Sequence, residues 1–168
     1  MLTSHELLGF MSPSLANDIL NWTYDTERAT YKATLQAVAD ARKLRPVFLE
    51  RQPRTQRHAT MVAALNRPNL ETIAGTLLRT WLVKKYKDML VDFLNALEIK
   101  HEDGVVESLP ESMDDAKLKP AVEQLLGKYP HEVVGVYLNA FNDMNEANWT
   151  NLKELLEGDS RLQLGGNG

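Results

Sequence analysis

The sequence predicts an all-α protein, folded as a single compact domain of about eight or nine helices. Apolar residues recur every three to four positions along most of the 168 residues, which is the spacing of amphipathic helices. Proline, serine and glycine stand where several of these helices would begin and end. The segment 132–138 is the exception: its β-branched residues suit a strand as well as a helix, and the choice stays open.

Capping signals predict the first helices. Thr3 with Glu6 has the spacing of a capping box before a short helix. Ser12 followed by Pro13 predicts the N-cap and first position of a second helix. Asp25 is the expected cap of a third helix, which runs to about residue 42.

Prolines interrupt the helical pattern between residues 44 and 53. The apolar residues 47–49 inside this interruption predict a short strand or a tucked loop. A further helix is expected over about residues 55–65.

The stretch 70–99 is the most regular amphipathic pattern in the chain. One unbroken helix of about 30 residues would be about 45 Å long, whereas a compact domain of this size is only about 40 Å across. We therefore expect either a break near residues 84–87 or a helix that projects. Whether residues 70–99 form one helix or two stays open.

Capping patterns, proline, glycine and apolar spacing predict the helices of the second half. Ser112 with Asp115 is a second capping-box pattern, but Pro120 would then lie inside the helix, where proline is unfavourable. We therefore expect this helix to begin at Pro120 and to end at Gly127. The last helix is expected over about residues 146–157.

A short internal similarity suggests repeated helix pairs. Residues 94–97 and 138–141 are alike at an offset of 44, which is within the range of stacked helical hairpins. The alternative is that any two amphipathic helices look alike at this level. We expect one domain over residues 1–163 and a flexible tail over 164–168.

Composition excludes several classes of site. The chain has no cysteine, which excludes disulfides and cysteine-based metal centres. Its start lacks the basic and apolar regions of a secretory signal, and no apolar run is long enough to cross a bilayer. The expected location is the cytoplasm, with no membrane partner and no cofactor.

Charge is unevenly distributed along the chain. The net charge is −4, but residues 1–100 hold 14 basic and 10 acidic residues, whereas residues 101–168 hold 5 and 13. The sharpest feature is a basic segment, 42–57, in which Glu50 is the sole acidic residue. Its cations are the candidate anion- or partner-binding residues: Arg42, Lys43, Arg45, Arg51, Arg54 and Arg57.

Arginine suits bidentate contacts to phosphate or carboxylate. Two other interpretations of the basic segment stay open. Cations near a helix C-terminus are favourable by themselves, and the acidic second half of the chain is a possible partner for them. Since Phe48 is the only aromatic residue in the segment, a stacking platform for single-stranded nucleic acid is missing.

A metal site or an enzyme is the third possibility. Glu98 and His101 have the Glu-x-x-His spacing of bundle metal ligands, but the di-iron pattern needs two such pairs. His58, close to Arg54 and Arg57, is either a base beside an anion clamp or a surface residue near a helix N-terminus. No Walker loop, nucleophile elbow or dinucleotide-binding glycine cluster is present.

The sequence thus favours a non-catalytic helical module that binds another protein or a second copy of itself as a homodimer. One alternative is binding of nucleic acid or another polyanion through residues 42–57. The other is a small helical enzyme or a metal site near residues 98–103.

Overall fold

The computed structural model describes residues 1–165 and confirms the all-α prediction. The described chain is 73% helical and contains no strand. Segment 132–138, left open by the sequence, lies inside a helix. The ten α-helices are α1 (Ser4–Phe10), α2 (Pro13–Thr26), α3 (Arg28–Arg42), α4 (Pro46–Glu50), α5 (Arg54–Leu65), α6 (Glu71–Lys85), α7 (Lys87–Ala96), α8 (Asp115–Lys128), α9 (His131–Met144) and α10 (Thr150–Gly158), with 3₁₀ turns at Pro68–Leu70 and Ser160–Leu162.

The described residues group into two compact units. The N-terminal unit comprises residues 3–81, and the C-terminal unit comprises residues 1–2 together with the chain from residue 82 onward. The predicted tail, 164–168, extends beyond the described residues. Among the described residues, none of the helices combines the length and apolarity that a bilayer crossing requires.

The N-terminal unit buries the apolar stripes that the sequence predicts. Ile19, Leu35, Val38, Met61 and Leu65, which come from α2, α3 and α5, are fully or almost fully buried. Removing one such side chain from water stabilises the fold by about 2 kcal/mol. These three helices therefore form the frame that positions the polar residues described below.

The N-termini of α1 and α2 are stabilised in different ways. Ser12 caps α2 as predicted, since its Oγ accepts a hydrogen bond from the Leu15 amide at 3.2 Å. Thr3 is the N-cap residue of α1, but its hydroxyl donates to Glu6 and caps no amide. The Glu71 carboxylate instead accepts from the amides of Ser4 and His5, at 2.9 and 2.8 Å. A residue distant in sequence therefore replaces the local cap.

The C-terminal unit is built around α9, whose residues 133–142 are all buried. Phe93, Tyr137, Phe141 and Trp149 form a chain of ring contacts with centroids 5.2 to 5.6 Å apart. Edge-on and tilted aromatic pairs of this kind add to the energy of burial. Burial on all sides explains why a segment rich in valine is helical here.

The regular stretch 70–99 forms two helices. α6 ends at Lys85 and α7 begins at Lys87. Tyr86 separates them with φ −115° and ψ 31°, outside the helical range. Of the two outcomes that the sequence left open for this stretch, the break near residues 84–87 is the one that occurs.

Two expectations for the N-terminal unit were wrong. Asp25 does not cap α3, because α2 continues to Thr26 and Glu27 separates the two helices with φ −129° and ψ 64°. Residues 47–49 form neither a strand nor a loop. They belong to α4, which Pro46 begins at its first position, where a missing amide hydrogen costs nothing.

Two boundaries in the C-terminal unit were also wrong. α8 begins at Asp115, not at Pro120, and continues through Gly127 to Lys128. Burial of Leu118, Val122 and Leu125 in α8 outweighs the one hydrogen bond that Pro120 removes.

α10 begins at Thr150 rather than near residue 146. Glu146 and Asn148 adopt positive φ of 52°, which a helix does not tolerate.

Candidate functional site

The six cations of segment 42–57 lie in two places. Arg42 is exposed at the end of α3, Lys43 and Arg45 are exposed between α3 and α4, and Arg51 is exposed directly after α4. Arg54 and Arg57 lie in the first turns of α5. The basic segment is thus one surface around α4 and a second group on α5.

The α4 surface consists of Arg42, Lys43, Arg45, Val47, Phe48 and Arg51. Leu49 anchors α4 because it is completely buried, while Val47 and Phe48 stay 43% and 55% exposed. Within residues 1–165, none of the four cations forms an ion pair. Two exposed apolar side chains therefore stand among four cations without a carboxylate partner.

A backbone hydrogen bond closes α3 just before α4, and a side-chain hydrogen bond reaches the last residue of α4. Lys43 ends α3 in the left-handed conformation with φ 54°, and the Leu44 amide donates to the Ala39 carbonyl at 2.8 Å. Past α4, Arg57 Nη1 donates to the Glu50 carbonyl at 3.0 Å. This short helix is thus held in place, so that little conformational entropy of α4 would be lost when a ligand binds.

Three guanidinium groups surround one aromatic ring in the second place. The guanidinium carbons of Arg28, Arg54 and Arg57 lie 3.7, 4.0 and 5.5 Å from the ring centroid of Tyr24. We call these four residues the Tyr24 cluster. Hydrogen bonds from Arg28 and Arg54, together with their charge, lower the pKa of the Tyr24 hydroxyl.

Two acidic residues, Asp25 and Glu27, are neighbours of the Tyr24 cluster in sequence. Asp25 Oδ1 lies 3.8 Å from Arg54 Nη1 and its side chain is largely exposed. Glu27 is the N-cap residue of α3, but its side chain does not cap the helix. The Arg54–Asp25 contact is therefore a loose ion pair, without the short bidentate geometry that makes a strong one.

Arg57 is the buried member of the Tyr24 cluster, with 8% of the residue exposed. Its Nη1 donates to the Glu50 carbonyl, but its Nε has no hydrogen-bond partner within the described residues. A buried donor without a partner is uncommon because it loses its contact with water. Arg57 is thus a buried cation with hydrogen-bonding capacity left over.

His58 lies behind Arg57 in the core, and the surface position considered for it was wrong. Its Nε2 is 2.8 Å from the Tyr31 hydroxyl, and its Nδ1 is 3.1 Å from Asn17 Oδ1. An amide oxygen only accepts, so Nδ1 carries the hydrogen and Nε2 accepts from Tyr31. Burial, followed by the charges of Arg57 and Arg54, lowers the pKa of His58 to about 4. The ring is therefore neutral and structural.

Arg28 and Tyr24 are not among the residues that the sequence singles out. Both lie outside segment 42–57, where cation density drew attention. The available local signal was a tyrosine and an arginine four residues apart at the junction of two helices. Their meeting with Arg54 and Arg57 depends on how α2 and α3 pack against α5, which no local pattern contains.

Glu98 and His101, the candidate metal ligands, do not converge. His101 Nδ1 accepts a hydrogen bond from the Gly104 amide at 3.0 Å, and Nε2 lies 2.7 Å from Asn95 Oδ1. Glu98 is paired with Lys117 at 2.8 Å. Neither ring nitrogen has a lone pair to spare, and no group of three histidine or acidic residues in the described chain could hold a metal ion.

Residues 97–117 line an open cleft of about 820 Å³ around this pair. The lining includes both acidic and basic side chains, among them Glu98, Glu107, Lys100 and Lys117. A cleft of mixed charge gives no preference for one class of ligand.

Comparison with known proteins adds no functional information. No family model matches the chain, and no curated protein or solved structure matches it either. The residues themselves must therefore carry any assignment, and the α4 surface and the Tyr24 cluster are the features with unused binding capacity.

Proposed function

We propose that this chain is a non-catalytic interaction module that docks an acidic, partly apolar segment of a partner protein on the α4 surface. The observation that carries the proposal is the position of Phe48. It is 55% exposed on a helix whose last residue is held by Arg57, and in sequence it lies between cations that form no ion pair within residues 1–165.

Apolar and charged groups would contribute to binding in different ways. Phe48 and Val47 supply an apolar anchor, since aromatic side chains in the centre of an interface dominate binding energy. Arg42, Lys43 and Arg45 precede the anchor in sequence and Arg51 follows it. Charges at an interface rim steer encounter and select a partner of opposite sign. An acidic segment with one apolar side chain matches both features.

A peptide-display selection on the folded chain tests this proposal. Random peptides should be enriched for aspartate and glutamate on both sides of a leucine, isoleucine or phenylalanine. Phe48→Ser should weaken the selected peptides about tenfold, the effect of losing one central aromatic anchor. Phe48 is exposed, so this change leaves the core intact.

Phe10→Ser is the matched control, because Phe10 is 60% exposed and belongs to α1. Peptides that bind Phe48→Ser as tightly as the unchanged chain would show that the α4 surface is not the docking site. Two further outcomes would also overturn the proposal: no acidic enrichment, or retention of a single-stranded oligonucleotide that Arg45→Gln with Arg51→Gln abolishes. The oligonucleotide result would favour the polyanion alternative instead.

A further inference from the structure

The Tyr24 cluster places arginines at the starts of two helices. Arg28 is the first residue of α3, which has 15 residues, and Arg54 is the first residue of α5, which has 12. Both guanidinium groups lie within about 4 Å of the Tyr24 ring centroid. The two helix N-termini therefore carry their cations to the same aromatic side chain.

This arrangement is electrostatically unusual. A helix N-terminus carries partial positive charge and favours acidic residues in its first turn. α3 and α5 have none there, and no side chain caps either helix. The guanidinium groups of Arg28 and Arg54 add to the positive potential of the helix ends, and the largely exposed Asp25 carboxylate lies 3.8 Å from Arg54 Nη1.

Arg57 is a second and independent observation. It is more than nine-tenths buried, its guanidinium carbon is 5.5 Å from the Tyr24 ring, and its Nε has no partner. Hydrogen bonds satisfy nearly all buried donors in folded proteins. An anion that reaches the Arg57 guanidinium would supply the acceptor that its Nε lacks within the described residues.

We propose that the Tyr24 cluster binds a phosphate group, either as inorganic phosphate or as a phosphate monoester. Free amides at a helix N-terminus and guanidinium forks are the two groups that proteins combine for phosphate recognition. A phosphate offers at least three acceptor oxygens and close to two negative charges. A carboxylate offers two oxygens and one charge, so it would leave more of the three guanidinium groups without an acceptor.

Titration of ¹⁵N-labelled protein with inorganic phosphate tests the site directly. We expect saturable amide shifts in the first turns of α3 and α5, with a dissociation constant on the order of 1 mM. Replacing Arg28 and Arg54 together by glutamine should weaken binding at least about tenfold. Both side chains are exposed, and the wild-type shifts locate the site even if a variant is lost.

The control pair is Arg67→Gln with Arg79→Gln, two exposed arginines that lie outside both the Tyr24 cluster and the α4 surface. Binding in the control should equal that of the unchanged chain. A phosphoserine peptide in a parallel titration distinguishes the two sources of phosphate. Tighter binding than inorganic phosphate assigns the site to a phosphorylated protein segment, and equal or weaker binding assigns it to free phosphate.

Three results would overturn the assignment: no saturable shift, equal binding by the Arg28 and Arg54 double variant, or equal binding of acetate at the same concentration. Failure of the phosphate titration can be distinguished from failure of the peptide selection. The peptide selection depends on Phe48, whereas the phosphate titration depends on Arg28 and Arg54.

Discussion

At the scale of single residues, His58 shows how burial changes the chemistry of a side chain. Its ring is almost completely buried and donates to Asn17 while accepting from Tyr31. Arg57 and Arg54 add positive charge nearby. Both burial and charge oppose protonation, so the pKa of His58 falls to about 4. His58, a candidate base from its sequence position, is therefore a neutral residue that forms hydrogen bonds in the core.

This shift predicts that the protein loses stability in mild acid. In the unfolded chain His58 takes up a proton near its ordinary pKa of 6.5, whereas in the folded chain it does so only near 4. Its contribution is therefore complete above pH 6.5 and is lost as the pH falls towards 4. The loss should reach on the order of 3 kcal/mol, measured by urea unfolding across that range.

His58→Gln should flatten the pH dependence of the unfolding free energy in this window. His131→Gln is the control, because His131 is exposed at the start of α9, and it should leave the dependence unchanged. A wild-type unfolding free energy that stays constant between pH 6.5 and 4 would refute the assignment of a buried, neutral His58.

At the scale of elements, the close approach of α9 to the Ser160–Leu162 turn depends on one glycine. A Cβ atom at Gly135 would lie 2.5 Å from the backbone oxygen of Leu162, and a backbone atom cannot move aside as a flexible side chain can. Gly135→Ala should therefore lower the free energy of unfolding by about 1–3 kcal/mol, as measured by urea denaturation.

Gly127 gives a matched comparison with the opposite sign. It also lies inside a helix, α8, but nothing is within 4 Å of the position its Cβ would take. Gly127→Ala should raise the free energy of unfolding by about 0.5–1 kcal/mol, since alanine restricts the unfolded backbone. Equal effects of the two changes would contradict the close approach at Gly135.

At the scale of the whole molecule, charge is the property that bears on partners. Residues 101–168 carry 13 acidic and 5 basic residues, and the α4 surface carries four cations without ion pairs in the described chain. If the proposed function is right, the acidic half of a second copy is one segment that could dock there. We expect weak self-association at low ionic strength, which added salt should disperse.

Sedimentation velocity over a dilution series measures this self-association. Arg45→Gln with Arg51→Gln should remove the concentration dependence, while Arg28→Gln, outside the α4 surface, should retain it. A sedimentation coefficient that does not change with concentration at low salt would mean that a second copy does not occupy the α4 surface.

The sequence by itself determined the all-α class, and it limited the stretch 70–99 to a projecting helix or a break near residues 84–87. These features follow from local rules, since a helix is set by contacts between residues three or four apart. Local rules also explain the errors. From local rules a helix should begin at Pro120, because proline is unfavourable inside one. In the folded chain, burial of the apolar side chains of α8 against residues distant in sequence outweighs the cost of Pro120.

Only the tertiary structure decided which cations lie together. The sequence grouped Arg42 to Arg57 because they are near in sequence, whereas the fold separates Arg54 and Arg57 from the rest and adds Arg28 and Tyr24. It also decided that His58 is buried and that Gly135 must lack a side chain. Each depends on helices packing together from separate parts of the chain, so the deciding distances exist only after folding.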